Sequence, residues 1–382
     1  MLLLLLNQIS KRNLMQSAAR KVSEENFSFS SCVKSDVWHP EKDAKGYEWW
    51  YFDALSDDGK DGIVIIFLDN FIFSPRYNSF IHRTIKNSQT ISDKEKSFPA
   101  LAFTYYRNGK PIYRAINEFP KTAFSADTEF PECSIGENSF RFESAPYGSG
   151  YVIKINAKLS KKRLLEANFE WLSIESDLLP RENELKDSVH YWNLVAPRSD
   201  VTGKITIINR KGRKQEEINF RGTGYHDHNF DNRWLPGTVQ NWQWGRSHFP
   251  DATAVFYRYC EIGNDEPQSK LFLIKDNVLT ERNAEYEIQE TGRDKFGLKY
   301  PKRMRIVTED NMKLRVKQKD IVDSSFFYLR FLSEMTLTLR DGKPRKTIGF
   351  TEHLAPKALK YRWLDWLINM RIGRGGKSSF LP

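Results

Sequence analysis

The sequence is poor in cysteine and in long hydrophobic runs, and both shortages restrict its class. Its three cysteines, Cys32, Cys133 and Cys260, are far apart and odd in number, so they form neither a disulfide framework nor a zinc-type pair. A reducing compartment fits this usage best. No segment reaches the roughly 20 apolar residues that a spanning helix needs. The sequence therefore predicts a protein that does not cross a bilayer.

Blocks of like charge and nucleic-acid motifs are also missing. The net charge of +10 comes from 59 basic and 49 acidic residues that are scattered along the chain, as on a solvated surface. We therefore predict no nucleic-acid partner and consider an anionic membrane surface the more interesting one. Residues 1–23 carry basic residues and no acidic one, a composition that an organelle transit peptide shares. We expect residues 1–28 to be a disordered tail and the protein to be cytoplasmic.

Short alternating or aromatic-rich runs separated by turns fill most of the remaining chain. Hairpin signals occur at Asp57-Asp-Gly59, Arg107-Asn-Gly109 and Arg340-Asp-Gly342. This rhythm, with few helical periods, predicts an all-β protein built of antiparallel barrels or sandwiches. We predict two tandem units, at residues 29–200 and 201–355. The segment 356–382 follows them.

That last segment has the pattern of a basic amphipathic helix. Apolar residues recur at helical spacing among positive charges; they are Leu359, Trp363, Trp366, Leu367 and Met370, with Lys357, Lys360, Arg362, Arg371 and Arg374. Two interpretations remain open. The helix docks on a barrel, or it lies at a membrane interface as a peripheral contact.

The motif Gly222-Thr-Gly-Tyr-His-Asp-His-Asn229 places a carboxylic acid between two imidazoles. If the motif is a strand, alternation puts Tyr225, Asp227 and Asn229 on one face and the two histidines on the other. One face then carries an acid with two hydrogen-bonding neighbours.

Two aromatic motifs, Gly46-Tyr-Glu-Trp-Trp-Tyr-Phe-Asp53 and Trp242-Gln-Trp-Gly-Arg246, lie far from this acid in sequence. Alternation predicts that about half of these rings fill a core. The carboxylates of Glu48 and Asp53 are either exposed at a rim or paired, with Arg246 as a candidate partner. Glu352 beside His353 is a weaker candidate of the same kind.

Together with His190-Tyr-Trp-Asn-Leu-Val-Ala-Pro197, these motifs resemble those of the carotenoid 1,2-hydratase family, also called hydroxyneurosporene synthase. The resemblance spans roughly residues 38–355. It implies two tandem lipocalin-like β-barrels and a pocket for an apolar isoprenoid or polyene. The predicted C-terminal amphipathic helix follows these barrels. The chain departs from the family pattern after Asn229, where Phe230 and Asp231 replace Trp-Gly.

Such a site suits protonation of an isolated alkene and addition of water to the tertiary cation. Asp227, kept neutral by apolar surroundings, is the predicted proton donor. Tyr225 and Asn229 would orient the acid or the water, and aromatic faces would stabilise the cation. The remaining catalytic candidates are His226 and His228. The predicted substrate-binding residues are Trp49, Trp50, Tyr51, Trp192, Trp242, Trp244 and Arg246.

No cofactor and no metal are predicted. His226 and His228 share a strand face as metal ligands do, but Arg233 and Trp234 stand where a carboxylate ligand would be expected. The histidines would instead hold the strand and the acid by hydrogen bonds. Two other functions remain open: a lipocalin-like carrier of an apolar ligand, and a cyclase or pericyclase like the Diels-Alderases that share the fold.

Overall fold

The chain is almost entirely β in a computed structural model that describes residues 27–86, 97–159, 163–179, 190–264, 266–340 and 342–374. The described residues form twenty-one strands and three α-helices. The helices are α1 (Pro75–Lys86), α2 (Leu235–Thr238) and α3 (Asp365–Asn369). The predicted all-β class is confirmed.

The N-terminal unit is one curled sheet of thirteen strands. Its strands are β1 (Phe27–Ser30), β2 (Tyr47–Ser56), β3 (Asp61–Leu68), β4 (Ala100–Arg107), β5 (Lys110–Glu118), β6 (Phe124–Ala126), β7 (Glu132–Ile135), β8 (Asn138–Ala145), β9 (Gly148–Leu159), β10 (Arg163–Glu175), β11 (His190–Asn209), β12 (Lys214–Asp231) and, from the end of the chain, β21 (Gly373–Arg374). The order across the sheet is β21-β5-β4-β3-β2-β12-β11-β10-β9-β8-β7-β6, with β1 paired to β11. The sheet curls far enough for the Asn117 side chain on β5 to bond both the N–H and the carbonyl of Lys158 on β9.

The C-terminal barrel is a closed ring of eight antiparallel strands. Its strands are β13 (Val239–Phe249), β14 (Ala252–Glu261), β15 (Gln268–Lys275), β16 (Val278–Arg293), β17 (Lys299–Thr308), β18 (Lys313–Ser324), β19 (Tyr328–Thr338) and β20 (Arg345–Leu354). Closure pairs β13 with β20 and leaves this barrel without a free edge. The tandem lipocalin-like architecture is thus confirmed, with the N-terminal unit as the more open half.

Three apolar clusters follow from strand alternation. On β2, Trp50 and Phe52 point into the N-terminal unit, whereas Trp49 and Tyr51 point away from it. The outward residues join Trp242 and others of the C-terminal barrel in a cluster between the two units. A smaller cluster fills the inside of the C-terminal barrel. The cluster between the units is where the candidate site lies.

A buried ion pair ties the two units together. Nε of Arg246 on β13 donates a 2.7 Å hydrogen bond to Oδ1 of Asp53 on β2, and both side chains are almost fully buried. Of the two possibilities that the sequence left open for Asp53, exposure at a rim or pairing with Arg246, the structure shows the pairing. Because removing one partner of a buried pair leaves an uncompensated charge, the pair fixes how the two units face each other.

The division between the units differs from the predicted one. Residue 200 lies within β11, and both β11 and β12 pair in the N-terminal sheet. The chain leaves this sheet after Asp231 and enters the C-terminal barrel at Val239. The segment from Pro197 to Gly203 resembles a turn because of its proline and glycine, but it continues as an irregular strand with register shifts.

The C-terminal segment is not the single helix that was predicted. It consists of short 3-10 turns at Pro356–Lys360 and Arg362–Leu364, then α3 and the two-residue β21. Tyr361 adopts an extended conformation that interrupts the helix. Leu359 and Ile368 are buried in the cluster between the units, so docking accounts for part of the apolar pattern.

The described residues contain no helix with the length and apolar character needed to span a bilayer. Most of the predicted disordered tail, residues 1–26, lies outside the described residues, as do residues 375–382 at the other end. Phe27 and Ser28, which were assigned to the tail, belong to β1.

Candidate active site

The motif Gly222-Thr-Gly-Tyr-His-Asp-His-Asn229 lies in the middle of the N-terminal sheet. It occupies the end of β12, between β11 and β2. The two glycines allow neighbouring groups to approach closely: a Cβ on Gly222 would lie 2.0 Å from the carbonyl oxygen of Leu55, and one on Gly224 would lie 2.5 Å from the Trp171 indole. The strand can therefore pack here only without side chains at these positions.

Three hydrogen bonds hold the carboxyl group of Asp227. The Tyr225 hydroxyl and the Trp192 indole N–H donate to Oδ2 at 2.6 and 3.0 Å. The Asn229 amide donates to Oδ1 at 2.9 Å. Oδ2 thus has two donors and Oδ1 only one, which leaves Oδ1 a position for a proton. Tyr225, Asp227 and Asn229 share one face, as alternation predicted.

Burial makes Asp227 a carboxylic acid near neutral pH. Loss of hydration is the largest influence and raises the pKa of Asp227 to about 7, against the opposing effect of the hydrogen bonds from Tyr225 and Trp192. The negative charges of Glu352 and Asp53 raise it further. An acid with a pKa close to ambient pH is suited to proton transfer.

Two adjoining cavities lie between the units. The small one, here called the acid chamber, has a volume of about 30 Å³ and is lined by Trp49, Tyr51, Trp192, Asp227, Asn229, Trp242, Trp244, Tyr257 and Glu352. The large one, here called the apolar cavity, has a volume of about 380 Å³. Its walls come from β2 to β5 of the N-terminal unit, from β18 to β20 of the C-terminal barrel and from the C-terminal segment.

Aromatic rings surround the acid. The Trp49 and Trp242 rings lie 5.8 Å apart, centroid to centroid, and join β2 to β13 across the space between the units. The Trp192 and Tyr257 rings are stacked at 5.0 Å. Ring faces of this kind attract a cation. The structure thus brings five predicted substrate-binding residues to the two cavities: Trp49, Tyr51, Trp192, Trp242 and Trp244.

The other predicted site residues lie elsewhere. Trp50 is in the core of the N-terminal unit, stacked on His228 at 4.7 Å, because its strand neighbour Trp49 takes the outward face. Arg246 is engaged by Asp53 and lines neither cavity. Asp231, the carboxylate that departs from the family pattern, pairs with Arg233 at 2.8 Å.

The two histidines of the motif do not contact Asp227. The prediction that they hold this acid and belong to its catalytic group was therefore wrong. Alternation turns them into the N-terminal unit. Nε2 of His226 lies 3.0 Å from Oδ2 of Asp36, and the two ring nitrogens of His228 face Asp36 at 3.2 Å and Glu48 at 2.8 Å. They organise a buried polar network on the opposite side of the strand.

This network is rich in paired charges. Burial acts to lower the pKa of His228, but the hydrogen bonds to Asp36 and Glu48 outweigh it and raise the pKa to about 9. The Lys42 ammonium lies 2.8 Å from Glu48 and 2.6 Å from Asp69. The carboxylates therefore face cations already present in the chain.

One group in the described residues has the composition of a metal site, namely His39, Glu48 and His228, whose ligand atoms lie within 4.8 Å of one another. A metal requires neutral imidazoles. His228 instead has a raised pKa, and Lys42 occupies the second oxygen of Glu48. This donor set fits a hydrogen-bonded ion-pair network better than a metal centre.

Several residues at the cavities carried no strong sequence signal. Tyr257 and Tyr328 belong to ordinary alternating strands of the C-terminal barrel. Arg330 pairs with Glu352 at 2.8 Å, and Arg114 pairs with Asp323 at 3.2 Å. Each of these contacts joins residues far apart in sequence, so only the register of the strands reveals it.

The resemblance inferred from the motifs is confirmed by comparison with known proteins. The family model for carotenoid hydratase CrtC matches residues 175–380, more than half of the chain. The chain belongs to the CrtC family of carotenoid hydratases. Membership of this family supports a hydratase-type enzyme. The matched region includes β12 and most of the walls of the acid chamber.

Two relatives of this CrtC-family chain have curated names. The hydroxyneurosporene dehydrogenase of Chlorobaculum tepidum is 27% identical over 357 residues, which cover 90% of this chain and 91% of that protein. The acyclic carotenoid 1,2-hydratase of Thiocapsa roseopersicina is 25% identical over 213 residues, which cover 56% of this chain and 47% of that protein.

Solved structures share the tandem fold. An AttH protein from Nitrosomonas europaea has a TM-score of 0.56 at 17% identity, covering 84% of this chain and 95% of that one. CghA has a TM-score of 0.55 at 10% identity, covering 86% and 97%. At these identities the likeness concerns the fold alone.

Proposed function

We propose that this protein is a cofactor-free hydratase that protonates an isolated alkene of an acyclic isoprenoid or carotenoid and adds water to the resulting tertiary cation. One observation carries the proposal: Asp227, with its pKa raised to about 7, lies among aromatic rings in a small chamber that adjoins an apolar cavity. Family membership and the name of the Thiocapsa relative agree with the reaction class.

The chemistry begins with the neutral Asp227. Its proton passes to the less substituted alkene carbon, which leaves a tertiary cation on the neighbouring carbon. Tyr225, Trp192 and Asn229 hold the carboxyl group in one orientation through the transfer. The faces of Trp242 and Trp244 stabilise the cation, and a water molecule then forms the carbon–oxygen bond.

The apolar cavity supplies the substrate specificity. Its walls include Val64, Ile66, Leu68 and Ile116 of the N-terminal sheet together with Phe327. A volume of about 380 Å³ lies in the lower part of the range of roughly 300–1,000 Å³ for ligand cavities. It accommodates the end of a long polyene, so the remainder would lie outside the cavity.

The test is a mass measurement on acyclic polyenes incubated with the full chain. Neurosporene is the first probe, because hydroxyneurosporene appears in the name of the Chlorobaculum relative. We expect a product heavier by one water. A product of unchanged mass would indicate a cyclase or pericyclase, and tight binding without any product would indicate a carrier. Either result would contradict the hydratase proposal.

We also propose that the C-terminal segment, which forms one wall of the apolar cavity, faces an anionic membrane surface. The C-terminal segment contributes Leu367, Ile368 and Arg371 to the cavity wall. On the same segment Trp363 and Trp366 are 72% and 55% exposed, beside the exposed basic residues Lys357 and Arg362. Exposed indoles with positive charges match the chemistry of an anionic lipid headgroup layer. An apolar polyene dissolves in the hydrocarbon core directly beneath that layer.

A further inference from the structure

A second carboxyl group, that of Glu352, lies where the two cavities meet. Glu352 lines both the acid chamber and the apolar cavity, as do Trp49, Tyr51 and Trp242. Asp227 and Asn229 line the chamber alone. A substrate that reaches Asp227 from the apolar cavity must therefore pass the Glu352 side chain.

The strand register explains this position. Glu352 on β20 is paired with Trp244 of β13 on one side and with Arg330 of β19 on the other. Paired residues of neighbouring strands share a face, so all three point out of the C-terminal barrel towards the N-terminal unit. The Glu352 side chain retains 11% exposure, consistent with its place on a cavity wall.

Among the described residues, hydrogen-bond donors reach only one of the two oxygens of the Glu352 carboxyl group. The Tyr328 hydroxyl at 2.6 Å and Nε of Arg330 at 2.8 Å both donate to Oε1. Within the part of the chain that the structure describes, no hydrogen-bond donor reaches Oε2. The two bonds to Oε1 fix the rotamer and leave Oε2 as an acceptor for a molecule in the cavity.

The acid chamber has the size and polarity for water. Its volume of about 30 Å³ exceeds the roughly 10–15 Å³ that one water needs. A buried water also needs two to four polar partners. Asp227, Asn229 and Glu352 are polar groups on the chamber wall, whereas the other lining side chains are tryptophans and tyrosines.

Building on the proposed hydration, we propose that Glu352 holds the attacking water in the acid chamber and accepts its proton. Asp227 and Glu352 then divide the reaction between them. Asp227 loses its proton to the alkene carbon, and the water oxygen forms a bond to the tertiary cation. One water proton passes to Oε2 of Glu352. Transfer of this proton back to the Asp227 carboxylate, through the next water to enter, restores both groups, so that alkene and water give an alcohol with no other reactant.

The alternative role for Glu352 is an ion pair with Arg330 that holds β19 and β20 and does nothing else. Such a pair needs the Glu352 carboxylate, but it does not need Oε2 to be free at the chamber that contains Asp227. The two roles predict different results when a substitution removes the charge of Glu352 and keeps the shape of its side chain.

The experiment compares the full-length chain with its Glu352→Gln variant, using neurosporene in buffer enriched in deuterium oxide. Loss of a general base lowers turnover by about 10²–10⁴-fold. We therefore expect hydration to fall by at least about 10²-fold, with unchanged quenching of tryptophan fluorescence by neurosporene. Recovered neurosporene should still gain deuterium, because Asp227 still forms the cation, which then loses a proton to regenerate the alkene.

Two matched variants separate chemistry from structure. Tyr328→Phe removes a donor to Oε1 and leaves Oε2 in place, so hydration should fall by less than about tenfold. Glu352→Asp restores a carboxylate and should recover part of the activity lost in Glu352→Gln. Thermal denaturation of each variant shows whether the fold is intact.

Three results would overturn the role of Glu352. Hydration by Glu352→Gln at the wild-type rate would do so, and so would joint loss of hydration and deuterium uptake in that folded variant. A hydration rate of Glu352→Asp no higher than that of Glu352→Gln would also overturn it. If the wild-type chain neither hydrates nor labels neurosporene, the proposed function fails as well, which distinguishes that outcome from failure of Glu352 alone.

Discussion

The indole Nε1 of Trp192 donates a 3.0 Å hydrogen bond to Oδ2 of Asp227, from one strand of the N-terminal sheet to the next. Trp192 also forms part of the aromatic wall of the acid chamber. One side chain therefore both orients the acid and lines the chamber in which the proposed reaction takes place. A carboxyl group held from two strands has its geometry fixed before substrate enters, which is the condition for efficient proton transfer.

Replacement of Asp227 by asparagine should separate catalysis from binding. Asparagine keeps the shape and the hydrogen bond to Asn229 but has no proton of suitable acidity. We expect turnover to fall by at least about 10²-fold, while the affinity for neurosporene, measured by tryptophan quenching, stays close to that of the wild type. A carrier protein would form no product in either form and would keep its affinity for neurosporene. Unchanged product formation by the variant would refute the assignment of Asp227.

The pH dependence of turnover follows from the raised pKa of Asp227. The protonated form is the active one, so kcat should decline as pH rises through about 7. The Tyr225 hydroxyl stabilises the carboxylate and thereby lowers this pKa. Tyr225→Phe should shift the declining limb to higher pH. A profile that rises as pH passes through about 7, or a declining limb that does not move in this variant, would count against Asp227 as the acid.

The histidine network should make stability depend on pH. The pKa of His228 is raised from 6.5 to about 9 in the folded chain, so the folded state binds the proton more tightly. The stabilisation is complete below the unfolded value of about 6.5 and is lost as pH rises through about 9. Its size is on the order of 3 kcal/mol.

Urea unfolding of wild type and His228→Gln at pH values on either side of this range provides the measurement. The variant should be less stable at the acidic end, because Asp36 and Glu48 lose their cationic partner. The difference between the two proteins should shrink at the alkaline end. A difference that is independent of pH would show that His228 is neutral in the folded state.

Membrane association should depend on the exposed indoles of the C-terminal segment. Replacing both Trp363 and Trp366 by alanine should weaken sedimentation with anionic vesicles, because indoles anchor at the headgroup level. Binding by the wild type should fall with added salt, since each basic residue near the surface contributes about 1 kcal/mol. Tyr147→Ala is the matched control, because Tyr147 is 84% exposed on the β8–β9 turn. Equal binding by wild type and double variant, or none by either, would refute the membrane contact.

Strand alternation made much of the site predictable. The period of two places Tyr225, Asp227 and Asn229 together and separates them from His226 and His228, and the structure agrees. The same rule applied to β2 predicts that only about half of its rings leave the core. It does not say which half, because the face that becomes the core depends on the partner strands.

Contacts between the units were harder to foresee. Glu352 pairs with Arg330 through the register of β19 and β20 and faces β12 across the gap between two separately folded sheets. Asp36 and Lys42 precede β2 in a segment without a strand pattern, yet they supply partners of His228 and Glu48. The helical period after Leu359 did not distinguish docking on a barrel from contact with a membrane. Burial of Ile368 and exposure of Trp366 are both compatible with an amphipathic pattern.

The most direct test of the account is the fate of solvent atoms during turnover of neurosporene in deuterium oxide enriched in heavy oxygen. We predict that the wild-type product carries one solvent deuterium on the carbon next to the new alcohol and the solvent oxygen in its hydroxyl group. The Asp227→Asn variant should label neither product nor recovered substrate. Wild-type product without solvent deuterium, or labelling by Asp227→Asn at the wild-type rate, would contradict the claim that Asp227 protonates the alkene.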